Sequence, residues 1–134
     1  MGFDKKTARF HVNYGPAELF ERVRKVMGRK TTLSVNSDHA QEMIDEREPP
    51  IELLRSFNAD NWELMLAETR VDNGKFQSTT WRRTVEDVEW WLTIGLHDAV
   101  VTIYPANEGK VGAGAQIVTE GPVYEKVKRV NSEL

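Results

Sequence analysis

A chain of 134 residues, 40% hydrophobic and 29% charged, is long enough to bury roughly two-thirds of its unfolded surface around one core. Its formal net charge of −3 argues against a protein that coats nucleic acid without sequence preference, since that affinity comes from neutralised phosphates. The absence of cysteine excludes disulfides, thiolate zinc sites and cysteine nucleophiles, and no run approaches the roughly 18 apolar residues of a bilayer span, so a cytoplasmic protein without a membrane partner is expected.

In chain order, "ARFHVNY" reads as a short strand and "GPAELFERVRKVMG" as a helix, with Pro16 near its first turn and Gly28 as its stop. Its apolar face comprises Leu19, Phe20, Val23, Val26 and Met27. "TTLSV" is another short strand, after which Asn36, Ser37 and Asp38 offer N-caps for a helix through Glu48. Pro49 and Pro50 end that helix, and a second short helix starts on the proline of "PIELLRSF".

From Trp62 onward the chain turns β-branched, aromatic and threonine-rich, which suits a half-buried sheet. Asn73-Gly74 predicts a type I′ hairpin that pairs Val71 with Phe76, Thr69 with Ser78 and Leu66 with Trp81. "EWWLTIGL" and "AVVTIY" follow, joined by a two-residue turn at His97-Asp98 and preceded by a four-residue loop over Val85–Val88. The expected fold is α+β, with N-terminal helices packed on a four-stranded antiparallel β-meander. The register puts Leu66, Trp81, Leu92, Ile94, Val101 and Ile103 on the core face, and Thr80, Arg82, Trp91, Thr93, Thr102 and Tyr104 on the other. One domain is expected: residues 1–36 form a strand-helix-strand extension, 37–105 the core, and 106–134 a loop and tail with a β-like "AQIVT" and a weakly helical end.

Candidate chemistry gathers at a few residues. His39 suits general acid/base work because imidazole titrates near neutral pH. Arg47 follows eight residues later, about 80° around the helix and about 12 Å along it, so both can border one anionic substrate. The alternative for Arg47 is an exposed ion pair with Asp45, Glu46 or another neighbour. On the sheet, Arg82 can bind phosphate, Trp91 or Tyr104 can stack on a base, and Thr93 or Thr102 can donate hydrogen bonds. The three histidines have no metal-motif spacing, and "GKVGAG" lacks the Gly-Lys-Ser/Thr of a phosphate loop, so neither metal nor cofactor is expected.

The helix with "HAQEMIDER", the short helix at Ile51 and the meander ending in "VVTIY" resemble, over about residues 37–105, small proteins of the barnase, EndoU, colicin and RelE-type superfamily. His39, Ala40, Glu46, Arg47, Ile51, Thr102 and Tyr104 carry the resemblance; Met43 stands where that pattern has arginine, and Glu48 where it has glycine. The resemblance implies metal-independent RNA cleavage, with RNA as substrate and a cognate antitoxin or immunity protein as partner. In that scheme His39 is the base or acid, Arg47 and Arg82 clamp phosphate, and Thr102 and Tyr104 donate hydrogen bonds. A non-catalytic module binding RNA or protein on the same fold is the competing expectation, and a small-ligand cleft at Trp90-Trp91 a third.

Overall fold

The computed structural model describes residues 6–28, 32–55, 57–106 and 117–132. Strand β1 (Thr7–His11) leads into helix α1 (Ala17–Met27), and α2 (Asp38–Arg47) is followed by the short α3 (Glu52–Arg55). Strands β2 (Glu63–Arg70), β3 (Phe76–Val85), β4 (Val88–Ile94) and β5 (Val100–Pro105) come next, and helix α4 (Pro122–Ser132) ends the described chain. The "GKVGAG" loop and Thr31 of the "TTLSV" stretch lie outside the described residues. Among the described residues of that stretch, Ser34 alone makes a β-bridge, parallel to Ala99.

The sheet is a five-stranded antiparallel meander in the order β1-β2-β3-β4-β5, one strand wider than the expected four. The extra strand is "ARFH", whose alternation of buried Ala8 and Phe10 with Arg9 fits a sheet edge with one wet face. The β2–β3 register also differs from expectation. Thr69 faces Phe76, Leu66 faces Thr80, and Leu64, not Leu66, faces Trp81. The cause is the turn: Gly74 alone is left-handed (φ 71°), so the connection is not type I′. Arg70 instead donates its backbone N–H to the carbonyl of Lys75 and accepts one from Gly74. Asp72 and Asn73 accept backbone hydrogen bonds within the loop, and Arg70 pairs with Asp72. The hydrogen bond from Arg70 is the main reason the Asp72 carboxyl is held down at about 2.

The remaining turns keep the expected register by partly different means. Glu86 and Asp87 are both left-handed (φ 50° and 66°), making a two-residue turn flanked by the pair Val85 and Val88, where a four-residue loop was expected. His97 and Asp98 adopt the same conformation, as the two-residue reading requires. Trp81 therefore faces Leu92, and Leu92 faces Ile103. After His97-Asp98 the ladder slips by one residue, pairing Ile94 with Val100. Val100 is buried and Val101 is 42% exposed, the reverse of the expected core assignment.

The core joins Phe10, Leu64, Trp81, Leu92, Ile94 and Ile103 of the sheet to Leu19, Phe20 and Val23 of α1 and Val127 of α4. Val26 of α1, expected inside, is 55% exposed. Helix α2 packs on the outer strand β5, sealing it with Ala40 and the partly buried Ile44. Ser37 caps α2, its hydroxyl accepting the N–H of Ala40. Among the described residues no helix is long and apolar enough to cross a membrane.

Candidate nucleic-acid interface

The face of β3–β5 turned away from the core carries two cross-strand rows. Arg82, Trp91 and Tyr104 form one; Thr80, Thr93 and Thr102 form the other. The period of two along each strand and the unbroken register between Thr93 and Pro105 put these six side chains in one patch. Thr80 and Thr93 share a hydrogen bond between their hydroxyls at 3.0 Å. The Trp91 indole donates to Glu89 at 2.9 Å, and the guanidinium of Arg82 pairs with both Glu63 and Glu89.

Arg47 reaches this end of the sheet from the last turn of α2. It donates to the carbonyl of Ile103 at 2.8 Å, and its guanidinium carbon sits 5.7 Å from the centre of the Tyr104 ring. That bond ties the last turn of α2 to a strand 56 residues away. Burial pushes the Tyr104 phenol above its ordinary value, while the positive charges of Arg47 and Arg9 oppose that shift. The phenol therefore stays protonated at neutral pH, a hydrogen-bond donor beside a fixed cation.

His39 stands apart from that arrangement. It is exposed in the first turn of α2, next to buried Ala40, and makes no hydrogen bond, ion pair or ring contact among the described residues. His11 lies on β1, where its Nδ1 accepts the N–H of Asn13 and its ring leans on Tyr14. His97 is exposed in its turn. Among the described residues no group of three or more metal-ligating side chains comes together. Trp90 is in the core at 6% exposure, on the opposite face from Trp91, so the two do not form a shared cleft.

The sequence reading missed Glu89 and Glu63, the two carboxylates that occupy Arg82. Glu89 was recoverable, being two residues before Trp91 and hence on the same face; Glu63 was not, because the β2–β3 register had been set by the wrong turn. Searches of protein-family models, of curated proteins and of solved structures found no match to this chain.

Proposed function

We infer that this protein acts on RNA as a small metal-independent endonuclease, using the β4–β5 face beside α2. The observation that carries the reading is the grouping of Tyr104, Thr102 and Arg47: a protonated phenol, a hydroxyl and a guanidinium at one end of a patch that also holds Trp91. The resemblance of the His39–Arg47 helix and the "VVTIY" strand to the barnase, EndoU, colicin and RelE-type superfamily supports the same class. In the reaction the ribose 2′-oxygen forms a bond to the adjacent phosphorus as the bond to the 5′-oxygen breaks, leaving a cyclic phosphate. A base takes the 2′-hydroxyl proton and an acid supplies one to the leaving 5′-oxygen. His39 is the base in this scheme. Tyr104 and Thr102 donate to the phosphate oxygens, and Arg47 offsets their developing charge. A cognate antitoxin or immunity protein is the expected partner of such an activity.

The test is cleavage of a mixed RNA pool in EDTA by the full chain, with the product's cyclic phosphate identified by mass. His39→Ala and Tyr104→Phe are each expected to lower the rate at least about tenfold, the low end for loss of an acid, base or oxyanion donor, with unchanged thermal unfolding. A specific observation favours a second reading. Arg82 is neutralised by Glu63 and Glu89, and His39 contacts none of the patch, as a non-catalytic RNA- or protein-binding module would allow. RNA binding without product at any enzyme concentration would select the module and remove the nuclease.

A further inference from the structure

A groove of about 550 Å³ opens where β1 ends, β2 begins and α1 reaches its last turn. This is within the size range of small-molecule sites. Its apolar wall includes Val12, Trp62 and Met65. Met65 is the residue skipped between the pairs of Leu64 and Leu66, and a bulge of this kind re-aims a side chain out of the regular ladder. Val12 locks the bulge by donating its N–H to the Met65 carbonyl at 2.9 Å. The Arg83 guanidinium lies over the Trp62 ring, 5.9 Å from its centre, and the ring, 7% exposed, offers the groove only a small part of its surface.

Arg82 and Glu63 also line the groove, where they satisfy each other as an ion pair, and two further charged residues are left for a ligand. Arg24 is an exposed cation on α1 and Asp60 an exposed anion in the Ala59–Asn61 turn, and neither makes an ion pair among the described residues. The exposed amide of Asn13 adds a donor and an acceptor. A ligand that satisfies all of these needs a flat apolar body for Met65 and Trp62, an anion for Arg24, and N–H donors for Asp60.

We propose that this groove binds a single nucleotide unit, its phosphate on Arg24, its base against Met65 and Trp62, and the base's amino edge on Asp60 and Asn13. The site shares Arg82 with the Tyr104 patch, but it does not rest on the cleavage reading. The unit is either a free nucleotide or the 5′-phosphorylated end of an RNA.

Intrinsic tryptophan fluorescence of the full chain tests this without any turnover. AMP and CMP are titrated in parallel with adenosine and inorganic phosphate. A nucleoside monophosphate should give a saturable change, with adenosine and phosphate each at least about tenfold weaker, the loss of one charge-assisted contact or of the stacked base. Arg24→Ala should weaken AMP binding by about the same factor, since the charge it removes is worth at least one such contact. Asp60→Asn should shift the AMP-to-CMP preference, and Trp62→Phe should reduce the signal, Trp81 also lining the groove, while calorimetry still detects binding. Lys25→Ala, one position round the helix, should leave AMP affinity unchanged. A 5′-phosphorylated dinucleotide binding as tightly as AMP assigns the site to RNA ends; loss of binding on extension assigns it to free nucleotides. AMP binding unaffected by Arg24→Ala, phosphate binding as well as AMP, or no saturable response to either nucleotide overturns the proposal.

Discussion

Glu48 closes α2 in the left-handed conformation, φ 46°, with its backbone N–H donated to Ile44. A residue with a Cβ pays about 1–2 kcal/mol there that glycine does not, and the side chain of Glu48 is exposed and makes no hydrogen bond or ion pair among the described residues. Glu48→Gly is therefore expected to raise stability by about 0.5–1 kcal/mol after glycine's greater unfolded-state entropy is subtracted. Chemical denaturation measures it, and an unchanged or lowered midpoint would mean that the strain is relieved elsewhere. Tyr104 makes a second residue-scale prediction. Its pKa is raised from 10.0 on folding, chiefly by burial, so the folded state holds the phenolic proton more tightly than the unfolded chain does. The sign follows: the stabilisation is complete below the ordinary value and is lost as pH rises through the higher folded one. Unfolding midpoints should fall between pH 10 and the tyrosinate midpoint seen by ultraviolet titration, and Tyr104→Phe should remove that part of the fall.

At the scale of elements, the turns decide how much of the sheet could be read. Asn73-Gly74 is the favoured type I′ pair, yet α4 overrides it: Asn131 donates to the Gly74 carbonyl, at a long 3.4 Å, and Val130 lies against Gly74. That contact is 57 residues away in sequence and invisible to local reasoning. Glu86-Asp87 shows the converse, forming a left-handed pair without either favoured residue, because Val85 and Val88 extend the ladder on both sides. Replacing Glu86-Asp87 by Asn-Gly should stabilise the hairpin by about 1–2 kcal/mol, since two strained residues give way to two that accept positive φ. A two-state denaturation curve for the double variant checks this; destabilisation would mean that the native side chains hold the turn. The patch of Thr80, Arg82, Trp91, Thr93, Thr102 and Tyr104 was legible despite the wrong loop length, because both lengths leave Trp81 opposite Leu92. Leu66 was misplaced because no pattern announces the skipped Met65. The Arg47 bond to Ile103 was equally hidden, since nothing local distinguishes it from an ion pair with Asp45.

The whole molecule is closed by contacts between its two ends. Val118 donates its N–H to the Arg9 carbonyl, so the chain returns from β5 to the far edge of the sheet at β1. There α4 packs on α1, and Val118 and Val127, 4% and 0% exposed, complete the cluster around Phe10 and Leu19. Burying two valines contributes about 3–6 kcal/mol, comparable to the roughly 5–15 kcal/mol that separates a folded domain from its unfolded chain. The buried Asn131 adds a polar tie, donating to Val127 at 2.8 Å and to the Gly74 carbonyl of the β2–β3 turn. A chain ending at Ala106 would lose all of these and uncover the Phe10 side of the core, although it retains β1 to β5. It is expected to show no cooperative thermal transition and to bind a hydrophobic dye at room temperature. Asn131→Ala in the full chain isolates the polar tie, with an expected loss of about 1–3 kcal/mol from the unsatisfied carbonyl and a preserved cooperative transition. If the Ala106 truncation unfolds cooperatively near the full-length midpoint, the five strands with α1–α3 are self-sufficient and α4 is an ornament on a core completed without it.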